Sequence, residues 1–205
     1  MKRSIDLCAA VCLTLILFAG GQLTSAQTPS SAHKEHHHQD AQPSPAQKYF
    51  TDVVLVNQDG REMRLYSDLL KGRIVIINAF FTTCQGSCPV MARTFALIQD
   101  RLGDRLGRDV FLISVTVDPA TDTPAKLKEY AERFKAKPGW HLLTGKKENV
   151  DAALYKLGQY VENKDSHLSI MIVGNEPTGL WKKAFGLAKP EEIIKVIESV
   201  LNDRE

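Results

Sequence analysis

Cysteine is scarce in this chain, with four in 205 residues, and two of them, Cys8 and Cys12, sit in an apolar N-terminal segment. A chain trimmed of that segment keeps only Cys84 and Cys88. One close pair is not the framework of a disulfide-stapled miniprotein, so the pair is there for its own chemistry or forms one small local bridge. Excess charge is missing as well. Lys and Arg number 26 against 24 Asp and Glu, a formal net charge of +2, so no basic field argues for nucleic acid. Long apolar runs are absent. The longest N-terminal one, Leu7 to Ala19, is about 13 residues against the roughly 20 that a spanning helix needs. Histidine is also thin in the body of the chain: of six, four lie before residue 40, leaving His141 and His167.

Lys2 and Arg3 ahead of the apolar run, with Thr24-Ser25-Ala26 after it, form the pattern of a secretory signal over residues 1–26, cleaved after Ala26. No cysteine directly follows the apolar run, which argues against a lipid anchor, and the protein is expected to be exported, periplasmic or extracytoplasmic, or membrane-associated if the N-terminal segment stays uncleaved. Residues 27–47 are rich in Pro, Ser, Gln and His and poor in the apolar residues that offset ordering entropy, so they read as a disordered linker. The tract His33-Lys34-Glu35-His36-His37-His38 within it is either a weak metal-catching segment or a solvated tail. Residues 48–205 then form one domain, long enough for a sizeable core.

Within that domain strands alternate with helices, which makes the class α/β. Val53 to Val56 and Met63 to Leu65 flank the turn Asn57-Gln58-Asp59-Gly60 and read as a hairpin, followed by at most a short helical turn at Ser67 to Leu70. The run 73–80 reads as a buried strand, residues 89–102 as a helix with Pro89 at its first position, and Val110 to Val117 as a second buried strand. Thr123-Pro124 caps a helix with the stripe Leu127, Tyr130, Ala131 and Phe134. A short strand at Trp140 to Leu143 and a helix through Val150 and Leu157 follow. Leu168 to Val173 and Leu180 to Ala184 form a second hairpin, and Pro190 to Leu201 a last helix with Ile193, Ile197, Val200 and Leu201 inward.

Cys84 and Cys88 stand where the strand 73–80 gives way to a helix, a place where a thiol pKa can fall. Four residues apart on a helical first turn, their sulfurs share one face. They can chelate one soft ion, Cu(I) above all and zinc possible, or close a small disulfide. Two thiolates leave a metal shell incomplete. If the strand 168–173 runs antiparallel to 73–80, its start lies beside the cysteines, and His167 becomes the third ligand. His141, next to Trp140 in a strand, reads as structural. Met91 falls on the apolar stripe of its helix and reads as core. Asp118 either tunes the site electrostatically or forms a turn with Pro119, and Asp122 reads as a carboxylate favoured at a helix start.

Cys84-x-x-x-Cys88-Pro89, Asp118-Pro119-x-x-Asp122-Thr123-Pro124, Leu143-Thr144-Gly145 and a lone His167 before an apolar strand resemble, in this order, the Sco (SenC) family over residues 49–202. The resemblance implies a thioredoxin-like fold with an N-terminal hairpin and a hairpin inserted before the C-terminal helix. It implies copper, Cu(I) or Cu(II), held by Cys84, Cys88 and His167. It implies a role in assembling the dinuclear copper site of a respiratory cytochrome c oxidase, whose copper-site subunit would be the partner, as a copper carrier, as a thiol reductant, or both. Asp118 and Asp122 match the family's acidic motif. The chain departs from the family at Gln85-Gly86-Ser87, which lacks the usual Pro-acidic pair, and at Asp165-Ser166-His167, one residue looser than the usual Asp-His. Its turn Gly174 to Gly179 is also longer, and it reads as secreted where many members keep a membrane anchor.

Copper carriage is not enzymatic. The rival expectation is a thiol–disulfide oxidoreductase in which Cys84 attacks and Cys88 resolves, reducing a partner's copper-site cysteines. Its three-residue spacer differs from the Cys-x-x-Cys of that chemistry. A peroxidase reading is disfavoured, because Thr83 and Pro89 do not reproduce such a site and the sequence places no arginine for peroxide. A purely structural bridge would close too few residues to constrain the unfolded chain much.

Overall fold

The computed structural model describes residues 45–204. The expected signal, most of the polar linker and the histidine tract lie outside the described residues. Helix α1 (Pro45–Phe50) occupies the last three positions expected to be linker. Phe50 is buried, with its ring 5.1 Å from that of Trp181, and this contact ties the helix to the body.

The strands are β1 (Val54–Asn57), β2 (Glu62–Arg64), β3 (Ile74–Phe80), β4 (Val110–Thr116), β5 (Trp140–Thr144), β6 (Ile170–Asn175) and β7 (Leu180–Phe185). They form one seven-stranded sheet in the order β2-β1-β5-β4-β3-β6-β7. β3, β4 and β5 are parallel, whereas β1 joins β5, and β6 joins β3, antiparallel. The central strands β3 and β4 are buried almost throughout, as continuous apolar runs covered on both faces should be. Helices α2 (Ser87–Leu102), α3 (Pro124–Arg133) and α5 (Pro190–Leu201) contribute to one core with Phe80, Trp140 and Met171. α1 and α4 (Lys147–Lys156) contribute to the other, with Leu55, Ile77 and Ile113.

Both expected hairpins are present, and the architecture is the mixed α/β sheet with two added hairpins. Leu65 departs from the expected strand. It opens a wide helical turn, Leu65–Leu70, because the Asp52 carboxylate accepts from the backbone N–H of Tyr66 (3.0 Å) and Ser67 (2.7 Å) and draws the chain out of the sheet. Phe134 lies just past the end of α3, and Phe134 and Leu201 are only partly buried. The cap at Thr123 is as expected: its side chain accepts from the Lys126 N–H. Across the middle of the sheet a polar chain is fully paired, Trp140 Nε1 donating to Ser114 Oγ (3.0 Å) and Ser114 Oγ to Asn78 Oδ1 (2.7 Å). Among the described residues no helix is long and apolar enough to cross a membrane.

Candidate metal centre

β3 ends at Phe80, and the chain turns at once, the Cys84 N–H donating to the Phe81 carbonyl at 3.2 Å. α2 begins at Ser87, two residues earlier than the Pro89 signal suggests, so Cys88 lies in its first turn. Cys88 is 1% exposed and packs in the core, whereas Cys84 is half-buried at the rim. On the other side of β3, β6 runs antiparallel, with Asn78 opposite Met171. The chain entering β6 therefore passes the end of β3, where the cysteine loop starts.

The residue that loosens Asp165-Ser166-His167 is taken up by a single helical turn, Lys164–Ser166. The Asn163 side chain caps it by accepting from the Asp165 N–H at 3.0 Å. His167 closes the turn, and the Lys164 carbonyl accepts both its backbone N–H (3.2 Å) and its ring Nδ1–H (2.9 Å). A carbonyl cannot donate, so this contact assigns the ring proton to Nδ1 and leaves the Nε2 lone pair free. Nε2 lies 3.2 Å from Cys88 Sγ. The Phe81 ring meets the imidazole edge-on at 5.4 Å between centroids and holds its orientation from the side.

The ligand atoms of Cys84, Cys88 and His167 lie within 4.8 Å of one another. Two sulfurs and one imidazole nitrogen around one point form a donor set suited to soft or borderline ions. A cleft of about 370 Å³, lined by Gln85 and Gly86 among others, opens on Cys84 and His167. The Cys88 thiol is pushed up to about 12, first by burial and then by its hydrogen bond with Cys84, against the Phe81 backbone contact that favours the thiolate. The expected lowering at a helix start is thus overridden at Cys88, because desolvation of the charged form outweighs the helix end. In the metal-free pair Cys88 keeps its proton, and an incoming cation must displace it.

Two carboxylates brace the site. Asp122, fully buried, accepts from the Thr82 N–H (3.1 Å), Thr82 Oγ1 (2.5 Å) and Thr116 Oγ1 (2.5 Å). It ties the start of the cysteine loop to the end of β4, a larger task than the helix-start role expected of it. Asp118 both starts a turn, accepting from the N–H of Asp122 at 2.9 Å, and pairs with Lys164 Nζ at 2.7 Å. Burial works to raise the Asp118 carboxyl, but Lys164 and Thr121 together hold it below its usual value. Thr82, Thr116 and Lys164 were not singled out in the sequence. Hydroxyls at the ends of two adjacent strands, facing a carboxylate just downstream, are the signal for the first two; Lys164 carries none.

The other sequence candidates fall elsewhere. Met91 is fully buried in the core. His141 stacks on Phe111 at 6.0 Å, with Phe111 in the core on the opposite face of the sheet, and burial, then Arg73 and Arg61, lower its pKa. Tyr130, below Phe80, is 3% exposed, and its hydroxyl has no hydrogen-bond partner among the described residues.

The SCO1/SenC family pattern matches residues 41–202. The SCO1 protein homolog of Bacillus subtilis is 37% identical over 90 residues, 43% of this chain and 45% of that protein, so the match spans under half of that relative's length. The structure of BsSco, described as having a disulfide switch and as a member of the Sco family of cytochrome c oxidase assembly proteins, superposes with a TM-score of 0.61 at 26% identity, over 76% of this chain and 94% of that one. Bradyrhizobium japonicum ScoI with copper bound shares the fold, with a TM-score of 0.59 at 24% identity, over 72% of this chain and 96% of that one.

Proposed function

Since the chain belongs to the SCO1/SenC family, we propose that it is an exported copper-binding protein that loads or matures the dinuclear copper site of a respiratory oxidase, with Cys84, Cys88 and His167 as its ligands. The observation that carries this reading is the convergence of two thiols and one imidazole Nε2 from chain segments 79 residues apart. The two sulfurs suit Cu(I), and adding the harder imidazole nitrogen suits Cu(II). Copper is cargo in this reading. Cys84, at the open edge of the cleft, is the ligand an acceptor's thiol or imidazole reaches first, while Cys88 holds the ion from the buried side. The test is copper titration of the reduced protein: His167→Ala lowers Cu(II) affinity and leaves Cu(I) nearly unchanged. Equal Cu(II) affinity in wild type and variant would remove His167 from the site.

One observation favours a second reading, a thiol–disulfide oxidoreductase. Cys84 is accessible and Cys88 buried and protonated, the division between an attacking and a resolving thiol. Cys84 thiolate would attack a partner disulfide to form a mixed disulfide, and Cys88 would then displace the partner's second sulfur. Two electrons and two protons pass to the partner, and a Cys84–Cys88 disulfide is left behind. A reduction potential measured against glutathione, with exchange rates toward an acceptor copper-site peptide, separates the readings. Slow exchange without preference for that peptide rejects the redox role.

A further inference from the structure

His167 is placed by a segment with little hold on the rest of the molecule. Between α4 and β6 the backbone bonds of residues 163–167 are local, running from Asn163 and Lys164 to Asp165, Ser166 and His167. Such bonds set the shape of the turn but not its position over the sheet. Apart from the contacts of His167 itself with Cys88 and Phe81, the link that ties this turn to the body of the molecule is electrostatic. Lys164 Nζ lies 2.7 Å from Asp118 Oδ2, across 46 residues of sequence. Among the described residues it is the one ion pair made by residues 160–168.

The two ends of this pair differ. Asp118 is the fixed end: its carboxylate is 12% exposed, and its N–H donates to Thr116 Oγ1 at 2.9 Å. Thr116 in turn donates to Asp122, which holds Thr82 at the start of the cysteine loop. Lys164 is the suspended end, and its own carbonyl cradles both the backbone and the ring of His167. Its Nζ also sits 5.2 Å from the centre of the Phe81 ring, the same ring that meets His167 edge-on. One residue thus carries the anchor on its side chain and the imidazole on its backbone.

We propose that the Lys164–Asp118 pair is a strut that holds His167 over Cys84 and Cys88, which makes Lys164 and Asp118 positioning residues of the metal centre. This rests on the copper reading above. Without the strut the turn samples positions in which Nε2 misses the site, and apparent affinity falls with the fraction of molecules in the competent arrangement. Partners one shell out from a metal ligand commonly change affinity by about 10–100-fold. Lys164 is 40% exposed, so solvent screening places the effect near the lower end, about tenfold. Cu(I), held by the two sulfurs, changes by less than about twofold.

The test compares wild type with Lys164→Met, Lys164→Arg, Asp118→Asn and the double variant Asp118→Asn/Lys164→Met. In metal-free protein, the Phe81–His167 ring contact and the Nδ1 hydrogen bond are read by NMR. In Cu(II)-loaded protein, affinity is read with the nitrogen hyperfine pattern of the electron paramagnetic spectrum. The expected result is a weakened ring contact and about tenfold lower Cu(II) affinity in Lys164→Met, recovery in Lys164→Arg, and a double variant no worse than either single one. Lys164→Met with an unchanged ring contact overturns the strut. So does an unchanged Cu(II) affinity in that variant while His167→Ala lowers it. If His167→Ala leaves Cu(II) binding untouched, it is the copper reading that fails, and the ring contact in metal-free protein still decides the strut.

Discussion

Replacing Asp122 should separate the geometry of the brace from the mere presence of a polar side chain. The carboxylate is completely buried and accepts three hydrogen bonds, two on Oδ2 from the Thr82 N–H and Thr116 hydroxyl and one on Oδ1 from the Thr82 hydroxyl. In Asp122→Ala all three are lost. The two hydroxyls can rotate toward other acceptors, but the Thr82 N–H cannot. Two net contributions of about 0.5–1.5 kcal/mol each for the hydroxyls, with about 1–3 kcal/mol for the one stranded donor, give a loss near 4 kcal/mol. That is a large share of the roughly 5–15 kcal/mol that holds a domain together. Asp122→Asn behaves differently. Its oxygen can take the Oδ2 position and keep two donors, and its amide can donate to a rotated Thr82 hydroxyl. The geometry survives and only the charge is lost, so the expected cost is about 1–2 kcal/mol. Urea unfolding of metal-free reduced protein measures both. If Asp122→Ala costs under about 1 kcal/mol, or Asn costs as much as Ala, the brace described here is wrong. Because Thr82 lies two residues before Cys84, the Ala variant should also bind copper more weakly than its stability alone explains.

The two thiols should differ under alkylation. At pH 8 a thiol titrating near 12 is ionised in about one molecule in ten thousand, so iodoacetamide should label Cys84 first and Cys88 only on unfolding. The same shift makes reduced protein sensitive to alkali. The Cys88 pKa is raised from 9.0 to about 12, so the folded state holds its proton more tightly; the stabilisation is complete below pH 9 and is lost as pH rises toward 12. Near pH 10.5 the loss is about 2 kcal/mol, and a Cys88→Ser variant, which does not titrate there, should lack it. Equal alkaline slopes for the two proteins would refute the assignment. Tyr130→Phe deletes a buried hydroxyl that has no partner among the described residues, so it should be neutral or stabilising by up to about 1 kcal/mol in thermal unfolding. A clear destabilisation would mean the hydroxyl is engaged.

Much of the fold is legible in the sequence because its signals are local. Runs such as Ile74 to Phe80 and Val110 to Thr116 carry apolar residues at successive rather than alternate positions, unlike half-exposed strands, and Pro89, Thr123-Pro124 and Pro190 mark helix starts. The place of His167 beside the cysteines is legible for a topological reason: only an antiparallel β6 brings it to the end of β3, and the second hairpin suggests that direction. What is not legible depends on three-dimensional neighbours. A carboxylate before a helix looks the same whether it faces solvent or three buried donors, so Asp122 read as a helix-end charge. Helix starts lower thiol pKa values in general, yet at Cys88 the surrounding core decides, and no local pattern reports how deep a side chain will lie. Lys164 is one of many surface lysines in sequence, and only folding brings it to Asp118. Leu65 leaves its strand because of Asp52, thirteen positions upstream.

The distance in sequence between Cys88 and His167 also sets an order in time. The chain emerges from the ribosome N-terminus first, so both thiols are exposed while β6 has yet to be made. A soft ion met at that stage finds a two-sulfur chelate in a flexible chain. The imidazole joins only after β6 has zipped onto β3, when a loop of 79 residues has closed. On the copper reading, discrimination between oxidation states is therefore a property of the finished sheet, acquired last, and a nascent or partly unfolded chain would capture metal without it.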